Sequence, residues 1–366
     1  WIMSYTNGLD KPSDYFNTLL YTGDNSNRSF TGVGFEPSLT WIKARNNTTW
    51  HLLYDAVRTA GTGKELHSNS DAAEGASNSS LYGYLSSFDS DGFSTVNGSS
   101  SSDALNETGK TYAAWNWKAG TSVSGDTTGS GTLKTYTGSV NTDAGFSIIS
   151  FTGNGTSGHT IPHNLGVAPA MVILKRYDSS NNWRVGHNGL TSWEYKLTLE
   201  ATEAQTSQSA VFNSTAPTSS VVTLGNSGSA NGNGATYIMY SFADVQGYSK
   251  VGGSYTGNGS SDGTFCYTGM KPSFIMIKRT SGTGGWFMFD NKRDTFNLTS
   301  RSLQADTSGA ENNYTASDTM NLDILSNGFK LKSTDGAVNG SGSTYIFMAF
   351  AEAPLVGTNN VPCTAR

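Results

Sequence analysis

The sequence predicts an all-β protein built from three tandem β-sandwich modules, jelly-roll-like in architecture, with long polar loops. A phrase of the form Gly-x-x-Pro-x-x-x-x-x-Lys occurs three times in a chain of 366 residues that has only 8 prolines. Each phrase contains an apolar run of strand length, and segments with helical periodicity are nearly absent. With 43 glycines and 11% aromatic residues, the composition is typical of a folded, turn-rich chain.

The fixed positions of the phrase define an internal repeat. They are occupied by Gly34, Pro37 and Lys43, by Gly166, Pro169 and Lys175, and by Gly269, Pro272 and Lys278. In every copy an aromatic-Thr-Gly turn precedes the phrase, a tryptophan follows it, and a strand beginning Thr-Tyr closes the copy. Each copy spans roughly 100 residues, which is the size of a sandwich domain and too long for a solenoid repeat.

The repeat divides the chain into modules and connecting segments. We predict an N-terminal connector over 1–15, module 1 over 16–119, a linker over 120–145, module 2 over 146–247, module 3 over 248–353 and a C-terminal tail over 354–366. The linker prediction depends on the Gly, Ser and Thr content of its first half. Because the chain begins at Trp1 with no signal-peptide pattern, we expect an upstream anchoring segment to be missing.

In each module the proline introduces a short apolar strand, over 39–43, 170–175 and 274–278. Apolar residues at both parities indicate strands buried on both faces. Proline suits a strand entrance, where its missing N–H removes no ladder hydrogen bond. The stretches 77–90 and 202–220 are rich in Ser, Asn and Thr and are predicted to be loops.

The low charge of the chain argues against nucleic acid as a partner. Charged residues make up 14% of the sequence and the net charge is -5, whereas nucleic-acid binding needs clustered Lys and Arg. No apolar run reaches about 18 residues, so no membrane insertion is predicted. Cys266 and Cys363 could pair, but they form no disulfide framework.

Short motifs that spell catalytic or metal sites lack the context that their chemistry needs. The segment 259–263 reads Gly-x-Ser-x-Gly, but all 5 histidines precede it, whereas a nucleophile elbow is followed by its histidine. His159 and His163 have ligand spacing only on a helix, which Gly158 and Pro162 oppose. We therefore predict no catalytic residue, no cofactor and no metal.

The tryptophans after the repeat lysines, Trp50, Trp183 and Trp286, are the candidate glycan-contacting residues. An exposed indole covers the apolar face of a pyranose, and nearby Asn and Asp side chains bind its hydroxyls. The alternative is that these rings fill the sandwich cores, which their recurrence at one place favours. Carboxylates such as Glu200 and Glu203 would hydrolyse glycosides only if two faced each other across a cleft.

Several linked segments carry a family resemblance, namely 141–155, 163–169, 182–187 and 345–354. They resemble a repeated module of marine bacteriophage virion structural proteins, including tail-fibre-like proteins. The resemblance covers all three modules and is closest in the second, while module 1 departs from it at 49–54. It implies a location on the virion exterior, on the tail or capsid surface, and no known catalytic site.

The resemblance implies a non-enzymatic virion structural protein, of the fibre, knob or decoration type, that mediates host-surface attachment or particle assembly. Its expected partners are sister chains in a homo-oligomer, with a trimer favoured, other tail or capsid proteins, and host surface glycans. Two alternatives stay open: a polysaccharide-degrading tailspike, acting as a glycoside hydrolase or lyase, and a secreted carbohydrate-binding protein. Two facing carboxylates would support the first alternative, and an upstream secretion signal the second.

Overall fold

The chain folds almost entirely into antiparallel sheets in the computed structural model, which describes residues 9–100, 104–313, 320–358 and 361–365. Two single-turn α-helices and one 3-10 turn are the helical elements of these residues. The sheets are stacked in pairs around buried apolar side chains. The predicted all-β sandwich fold is therefore confirmed.

The first repeat combines a four-stranded and a three-stranded sheet. A 3-10 turn at Pro12–Asp14 precedes it. Its elements are β1 (Phe16–Thr22), β2 (Arg28–Thr31), β3 (Leu39–Ala44), β4 (Leu52–Asp55), α1 (Ser79–Tyr82), β5 (Tyr84–Asp89), β6 (Gly92–Val96) and β7 (Thr111–Trp117). The large sheet has the order β1-β7-β3-β4 and the small sheet the order β2-β6-β5.

The second repeat has the same arrangement, with additional strands at one edge of the large sheet. Its elements are β8 (Thr121–Asp126), β9 (Thr128–Gly129), β10 (Thr135–Asn141), β11 (Phe146–Thr152), β12 (His159–Pro162), β13 (Met171–Arg176), β14 (Arg184–His187), β15 (Tyr195–Lys196), β16 (Thr206–Ser207), α2 (Ser209–Phe212), β17 (Val221–Leu224) and β18 (Thr236–Phe242). The large sheet runs β14-β13-β18-β11-β10-β8, the small sheet β17-β12-β9, and β15 pairs with β16.

The third repeat extends its large sheet at the opposite edge. Its elements are β19 (Ser249–Thr256), β20 (Phe265–Tyr267), β21 (Met270–Arg279), β22 (Trp286–Asp290), β23 (Arg301–Gln304), β24 (Asn312–Asn313), β25 (Leu322–Leu325), β26 (Gly328–Leu331) and β27 (Thr344–Pro354). The large sheet runs β19-β27-β21-β22-β23-β24 and the small sheet β20-β26-β25. Counting from β1, β11 and β19, the order first, last, third, fourth strand recurs in all three large sheets.

The apolar runs after the repeat prolines form β3, β13 and β21, each between two neighbours in its large sheet. Side chains on both faces of these strands are buried, as the sequence predicts. Pro37 and Pro169 precede their strands. Pro272 instead lies inside β21, at a shift in its register with β27, where a proline is tolerated because ladder pairing is already interrupted.

The three glycines that open the repeat phrase have left-handed backbone conformations, with φ of +91° at Gly34, +75° at Gly166 and +73° at Gly269. Residues with a Cβ avoid this region because the Cβ approaches the following carbonyl oxygen. The turn that leads into the third strand of each repeat therefore requires glycine.

The segment 120–145, predicted to be a linker, is instead part of a sheet. β8 pairs antiparallel with β10, and β10 pairs with β11. No residue of β8 is buried, because it lies at the sheet edge, so this strand needs no large apolar side chains. The linker prediction is wrong because it is based on composition, which distinguishes buried from exposed segments. An exposed strand such as β8 has the polar composition of a loop.

Two stretches predicted to be loops also contain regular elements. The stretch 77–90 includes α1 and β5, and 202–220 includes β16 and α2. β5 has one buried residue and lies at the edge of its small sheet, so its sequence shows no clear alternation. The sequence therefore does not show β5, because most of its residues are not buried.

Each sandwich has its own apolar core between its large and small sheets. The other faces of the three large sheets pack together in a fourth core, to which all three repeats contribute. At its centre Trp117, Phe242 and Phe350, the seventh residues of β7, β18 and β27, meet with ring centroids 6.5, 5.7 and 6.0 Å apart. The repeats are therefore consecutive in sequence but gathered around a pseudo-threefold axis.

The described parts of the predicted N-terminal connector and C-terminal tail contact each other. The carboxylate of Asp10 accepts a hydrogen bond from the main-chain N–H of Thr358, at 2.9 Å. Residues 1–8 of the connector lie outside the described residues. The predicted tail over 354–366 begins inside β27, which ends at Pro354.

Candidate functional site

The three repeat lysines lie buried beneath the loop that follows the third strand of each repeat. Lys43, Lys175 and Lys278 are at most 1% exposed. Each ammonium donates to main-chain carbonyls of that loop, including those of Asn47 at 3.1 Å, Asn181 at 2.7 Å and Gly284 at 2.7 Å. Burial lowers the pKa of all three lysines to about 8.

Two of these lysines also bind the repeat that precedes them in the chain. Lys175 Nζ donates to the carbonyl of Asp71 in repeat 1, at 3.0 Å. Lys278 Nζ donates to the carbonyls of Thr202 and Glu203 in repeat 2, at 3.2 and 2.8 Å. The lysine thus fixes its own loop and that of a neighbour.

Eight residues after each lysine lies a ring whose nitrogen bonds to the neighbouring repeat. Trp183 Nε1 donates to the carbonyl of His67 at 2.9 Å, and Trp286 Nε1 to that of Thr198 at 3.0 Å. In repeat 1 the same position holds His51, whose Nε2 lies 2.9 Å from the carbonyl of Gln304 in repeat 3. The three contacts therefore close a ring from repeat 1 to 2, 2 to 3 and 3 to 1.

The hydrogen bonds of His51 define its tautomer. Its Nδ1 accepts from Trp41 Nε1 at 2.8 Å, so Nε2 carries the proton and donates to Gln304. Burial holds the pKa of His51 well below its usual range, and the imidazole stays neutral. A neutral histidine thus makes the same contact as the two indoles.

A second set of contacts closes the same ring through the main chain. Each contact is a main-chain hydrogen bond from an N–H of one repeat to a carbonyl of the next. The donors lie eight residues after Leu66, Leu197 and Leu303, and each acceptor lies two residues after a repeat lysine. The pairs are Glu74 to Tyr177 at 2.9 Å, Gln205 to Thr280 at 3.0 Å and Glu311 to Arg45 at 2.6 Å.

Buried ion clusters reinforce two of the three joints. In repeat 1, Arg58 bonds Asp55 at 2.7 Å and Glu74 at 2.8 Å, and Asp55 accepts from the hydroxyl of Tyr240 in repeat 2 at 2.7 Å. The equivalent cluster of repeat 3 is formed by Asp290, Arg293 and Glu311, and Asp290 accepts from Trp115 Nε1 of repeat 1. Repeat 2 has His187 and Leu190 at these positions.

The predicted glycan-contacting tryptophans have different environments. Trp183 and Trp286 are 0% and 1% exposed, so that prediction is wrong for them. They are core residues, but they lie in the shared core between the repeats and not in a sandwich core. Trp50 is 43% exposed. It lies seven residues after its lysine, not eight, and His51 takes the inward position. Counting from the lysine would have separated Trp50 from the other two.

Trp50 borders an open groove of about 600 Å³ on repeat 1. We call it the Trp50 groove and define it by its lining residues, which are Asn47, Thr48, Thr49, Trp50, Leu52, Ala76, Ser77, Asn78, Tyr82, Ala104 and Glu107. Tyr82 is 37% exposed. Sequence reasoning misses this residue, because Tyr82 lies within the polar stretch 77–90 that is predicted to be a loop.

The loop between β3 and β4 positions one wall of the Trp50 groove. Lys43 holds this loop from below through the carbonyl of Asn47, and the N–H of Thr49 donates to the carbonyl of Ser308 in repeat 3 at 3.1 Å. The indole of Trp50 lies edge-on to the ring of His67, with centroids 4.6 Å apart. The exposed indole of Trp50 thus packs on buried His67, and buried Lys43 fixes the loop that carries it.

The helix α1 and the residues before it supply the opposite wall. Asn78 caps the helix, with Oδ1 accepting from the N–H of Leu81 at 3.2 Å, and Tyr82 ends it. The hydroxyl of Ser77 lies 3.1 Å from His67 Nε2. Because His67 Nδ1 donates to the carbonyl of His51, Nε2 accepts from Ser77. Burial lowers the pKa of His67 to about 4, so this imidazole is neutral near pH 7.

Glu107 is the one Asp, Glu, Lys, Arg or His among the described residues that line the groove. Its carboxylate accepts from Asn47 Nδ2 at 3.3 Å and lies 3.8 Å from Lys110 Nζ. The groove therefore combines two exposed aromatic rings with amides, hydroxyls and a single carboxylate. Such a set binds a polar, uncharged ligand that has apolar faces.

The family described as a domain of unknown function, DUF7483, matches residues 11–354. The chain belongs to the DUF7483 family. One family match spans all three repeats, which agrees with their closure around one core. No curated protein and no solved structure matches the chain.

The candidate carboxylates and histidines at 159, 163, 200 and 203 have local partners in this DUF7483 chain. Glu200 accepts from the N–H of Trp183 at 3.1 Å, and Glu203 accepts from Lys196 Nζ at 2.6 Å. His159 and His163 are buried and hydrogen-bonded. Within the described residues, no group of three or more His, Cys, Asp or Glu could hold a metal ion.

Two further properties of this DUF7483 chain complete the description. Cys266 is buried and Cys363 partly buried, and both are free cysteines. No helix in the described ranges is long and apolar enough to cross a membrane.

Proposed function

We propose that this DUF7483 chain is a non-enzymatic structural protein of a bacteriophage virion, of the fibre, knob or decoration type, that mediates attachment to the host surface. The observation that carries the proposal is the closed ring of three sandwiches. Lys175, Lys278, His51 and the two Asp-Arg-Glu clusters are buried polar groups that contact a neighbouring repeat across the joints of this ring.

A closed ring of this kind suits a protein that must keep its shape under load. Opening one repeat would expose its part of the shared core and break contacts with both neighbours. Loops held on such a scaffold, including those of the Trp50 groove, can present a fixed surface to a partner. Rigidity with exposed polar loops supports attachment over catalysis.

The proposed setting is the exterior of the particle, on the tail or the capsid, in contact with other tail or capsid proteins and with sister chains, a trimer being the favoured assembly. The uncovered edge of β8 supports contact with another chain. Its six residues pair on one side only and none of them is buried, and such edges are commonly covered by association.

Antibody labelling of intact particles, together with competition by the purified protein, tests the proposal. We expect antibody against the chain to label the particle exterior, and excess purified protein to reduce adsorption of particles to host cells. Purified particles that lack the chain, or that carry it without any accessible epitope, would contradict host attachment. Release of reducing ends from host polysaccharide by the purified protein would instead support the tailspike alternative.

A secreted carbohydrate-binding protein is the second candidate, and the Trp50 groove favours it. The groove has the aromatic and amide side chains of a sugar-binding site, whatever the location of the chain. Particle composition separates the two candidates: a secreted protein would be absent from washed particles and present in the medium of the producing cells.

A further inference from the structure

We infer that the Trp50 groove of repeat 1 binds a neutral oligosaccharide, with Trp50 as the stacking platform. The inference rests on the proposed attachment function for its biological setting and gives that function a ligand class. It assigns binding to one repeat of the three, because the groove is built from residues that the other repeats do not share.

The exposed indole of Trp50 is not needed for the fold. The equivalent positions, seven residues after the lysine, hold Asn182 in repeat 2 and Gly285 in repeat 3. Both repeats fold with the same strand order. Trp50, at a position where an amide or no side chain suffices, is 43% exposed and shares the groove with Tyr82, which is 37% exposed. Two exposed aromatic rings in one concave site favour an interaction with something outside the chain.

The platform is already in place before a ligand binds. His67 supports the indole edge-on, and the loop that carries it is tied to buried Lys43 and to Ser308 of repeat 3. A ring fixed in this way loses little conformational freedom when a sugar stacks on it. The geometry therefore favours stacking of a flat apolar face, such as that of a pyranose.

Polar atoms around the ring have unused hydrogen-bonding capacity. In the part of the chain that the structure describes, Trp50 Nε1, Tyr82 Oη and Asn78 Nδ2 form no hydrogen bond. Asn78 uses only its oxygen, in capping α1. Amide and hydroxyl donors beside an aromatic ring match the alternating hydroxyls and apolar face of a sugar.

The charge of the groove selects against acidic sugars. Glu107 is the sole Asp, Glu, Lys, Arg or His in the described lining, and its carboxylate lies 3.8 Å from Lys110 Nζ. A uronate, sialate or phosphate in the groove would face this carboxylate, and no residue of the described lining is basic. The ligand class is therefore a neutral oligosaccharide, and a volume of about 600 Å³ accommodates a short one.

Glycan-array binding followed by calorimetric titration tests the inference on the full chain. The probes are neutral oligosaccharides, with sialylated and uronic-acid oligosaccharides as the acidic set. The test variant is Trp50→Asn, which installs the side chain of repeat 2 and preserves the fold. The matched control is Phe296→Ala, which removes an aromatic ring that is 78% exposed in repeat 3.

We expect the wild type and Phe296→Ala to bind neutral oligosaccharides equally and Trp50→Asn to bind them at least about tenfold more weakly. Absence of binding to every neutral probe, a preference for acidic probes, or full binding by a folded Trp50→Asn would each overturn the inference. Host-cell binding that survives in Trp50→Asn would retain the attachment function and refute only the groove. Sugar binding by a chain that is absent from particles would retain the groove and refute the attachment function.

Discussion

At the scale of single residues, the position eight residues after the repeat lysine shows how one contact is made by different side chains. Trp183 and Trp286 each donate an indole N–H to a carbonyl of the preceding repeat, and His51 donates through Nε2 to Gln304. The contact needs a flat ring with one N–H at that depth. Protonation of His51 would keep this donor but remove the Nδ1 acceptor that Trp41 Nε1 uses, so acid would break the hydrogen bond that orients the ring at the joint between repeats 3 and 1.

Acid should destabilise the protein through His67, which supports Trp50. Burial lowers the pKa of His67 from 6.5 to about 4, so below pH 6.5 the unfolded chain binds a proton that the native chain does not. The contribution is complete above pH 6.5 and is lost as the pH falls toward 4. We expect the unfolding free energy of the wild type to fall by about 3 kcal/mol more than that of His67→Gln over this range.

Urea unfolding at a series of pH values measures this difference. Parallel pH profiles for the wild type and His67→Gln would show that His67 does not titrate differently in the native and unfolded states.

The buried cluster of repeat 3 allows a second test on single residues. Arg293 is fully buried between Asp290 and Glu311. Arg293→Leu leaves the carboxylate of Asp290 buried without its cation and should cost about 3–5 kcal/mol of unfolding free energy. Asp290→His combined with Arg293→Leu copies the pair found in repeat 2, His187 and Leu190, and should cost less than Arg293→Leu alone.

Chemical denaturation of the two variants and the wild type gives the comparison. A double variant that is less stable than Arg293→Leu would mean that the His-Leu pair of repeat 2 cannot replace the ion cluster in repeat 3.

At the scale of elements, the sequence predicts buried strands well and exposed ones poorly. β3, β13 and β21 are apolar at both parities because both of their faces are covered, and this pattern is visible in the sequence. β8 has no buried residue and β5 has one, so each has the composition of a loop. Burial of a strand requires apolar side chains, which are visible in the sequence. An exposed edge strand pairs through main-chain hydrogen bonds, which any side chain allows.

The candidate site follows the same rule. Recurrence after the repeat lysine marks Trp183 and Trp286, which are buried in the shared core, but recurrence is the wrong signal for a surface site that only one repeat has. Trp50 has the same residue type, but its spacing from the lysine differs by one residue. Tyr82 and Glu107 come from segments remote in sequence that only the fold brings to one groove.

The turn before each third strand offers a test at the element scale. Gly166 has φ of +75°, and a Cβ added there would meet no atom within 4 Å. Gly166→Ala should therefore cost about 1–2 kcal/mol through backbone conformation alone, and Gly166→Asn less, because Asn tolerates this region. Denaturant titration of both variants measures the cost. Equal stability of Gly166→Ala and the wild type would show that the turn relaxes without penalty.

At the scale of the whole molecule, the closure of the repeats could not be read from the sequence. The inter-repeat partners of the ring nitrogens and lysines are main-chain carbonyls, which carry no residue signature. The ordered set of contacts from repeat 1 to 2, 2 to 3 and 3 to 1 appears only once equivalent positions are compared in space. Three copies of a sandwich thereby form one body, and all three contribute residues to the shared core.

This shared core predicts that the repeats fold together. A polypeptide limited to residues 120–247 would retain the core between its own sheets but expose side chains such as Phe146, Trp183 and Phe242, which the other repeats now cover. Exposed apolar area of this kind favours aggregation or partial folding. We expect this fragment to lack a cooperative thermal transition, whereas the full chain unfolds in a single transition with coincident near- and far-ultraviolet circular dichroism. Three separable transitions in the full chain, or a monomeric fragment with native stability, would mean that the contacts of the ring contribute little to the fold.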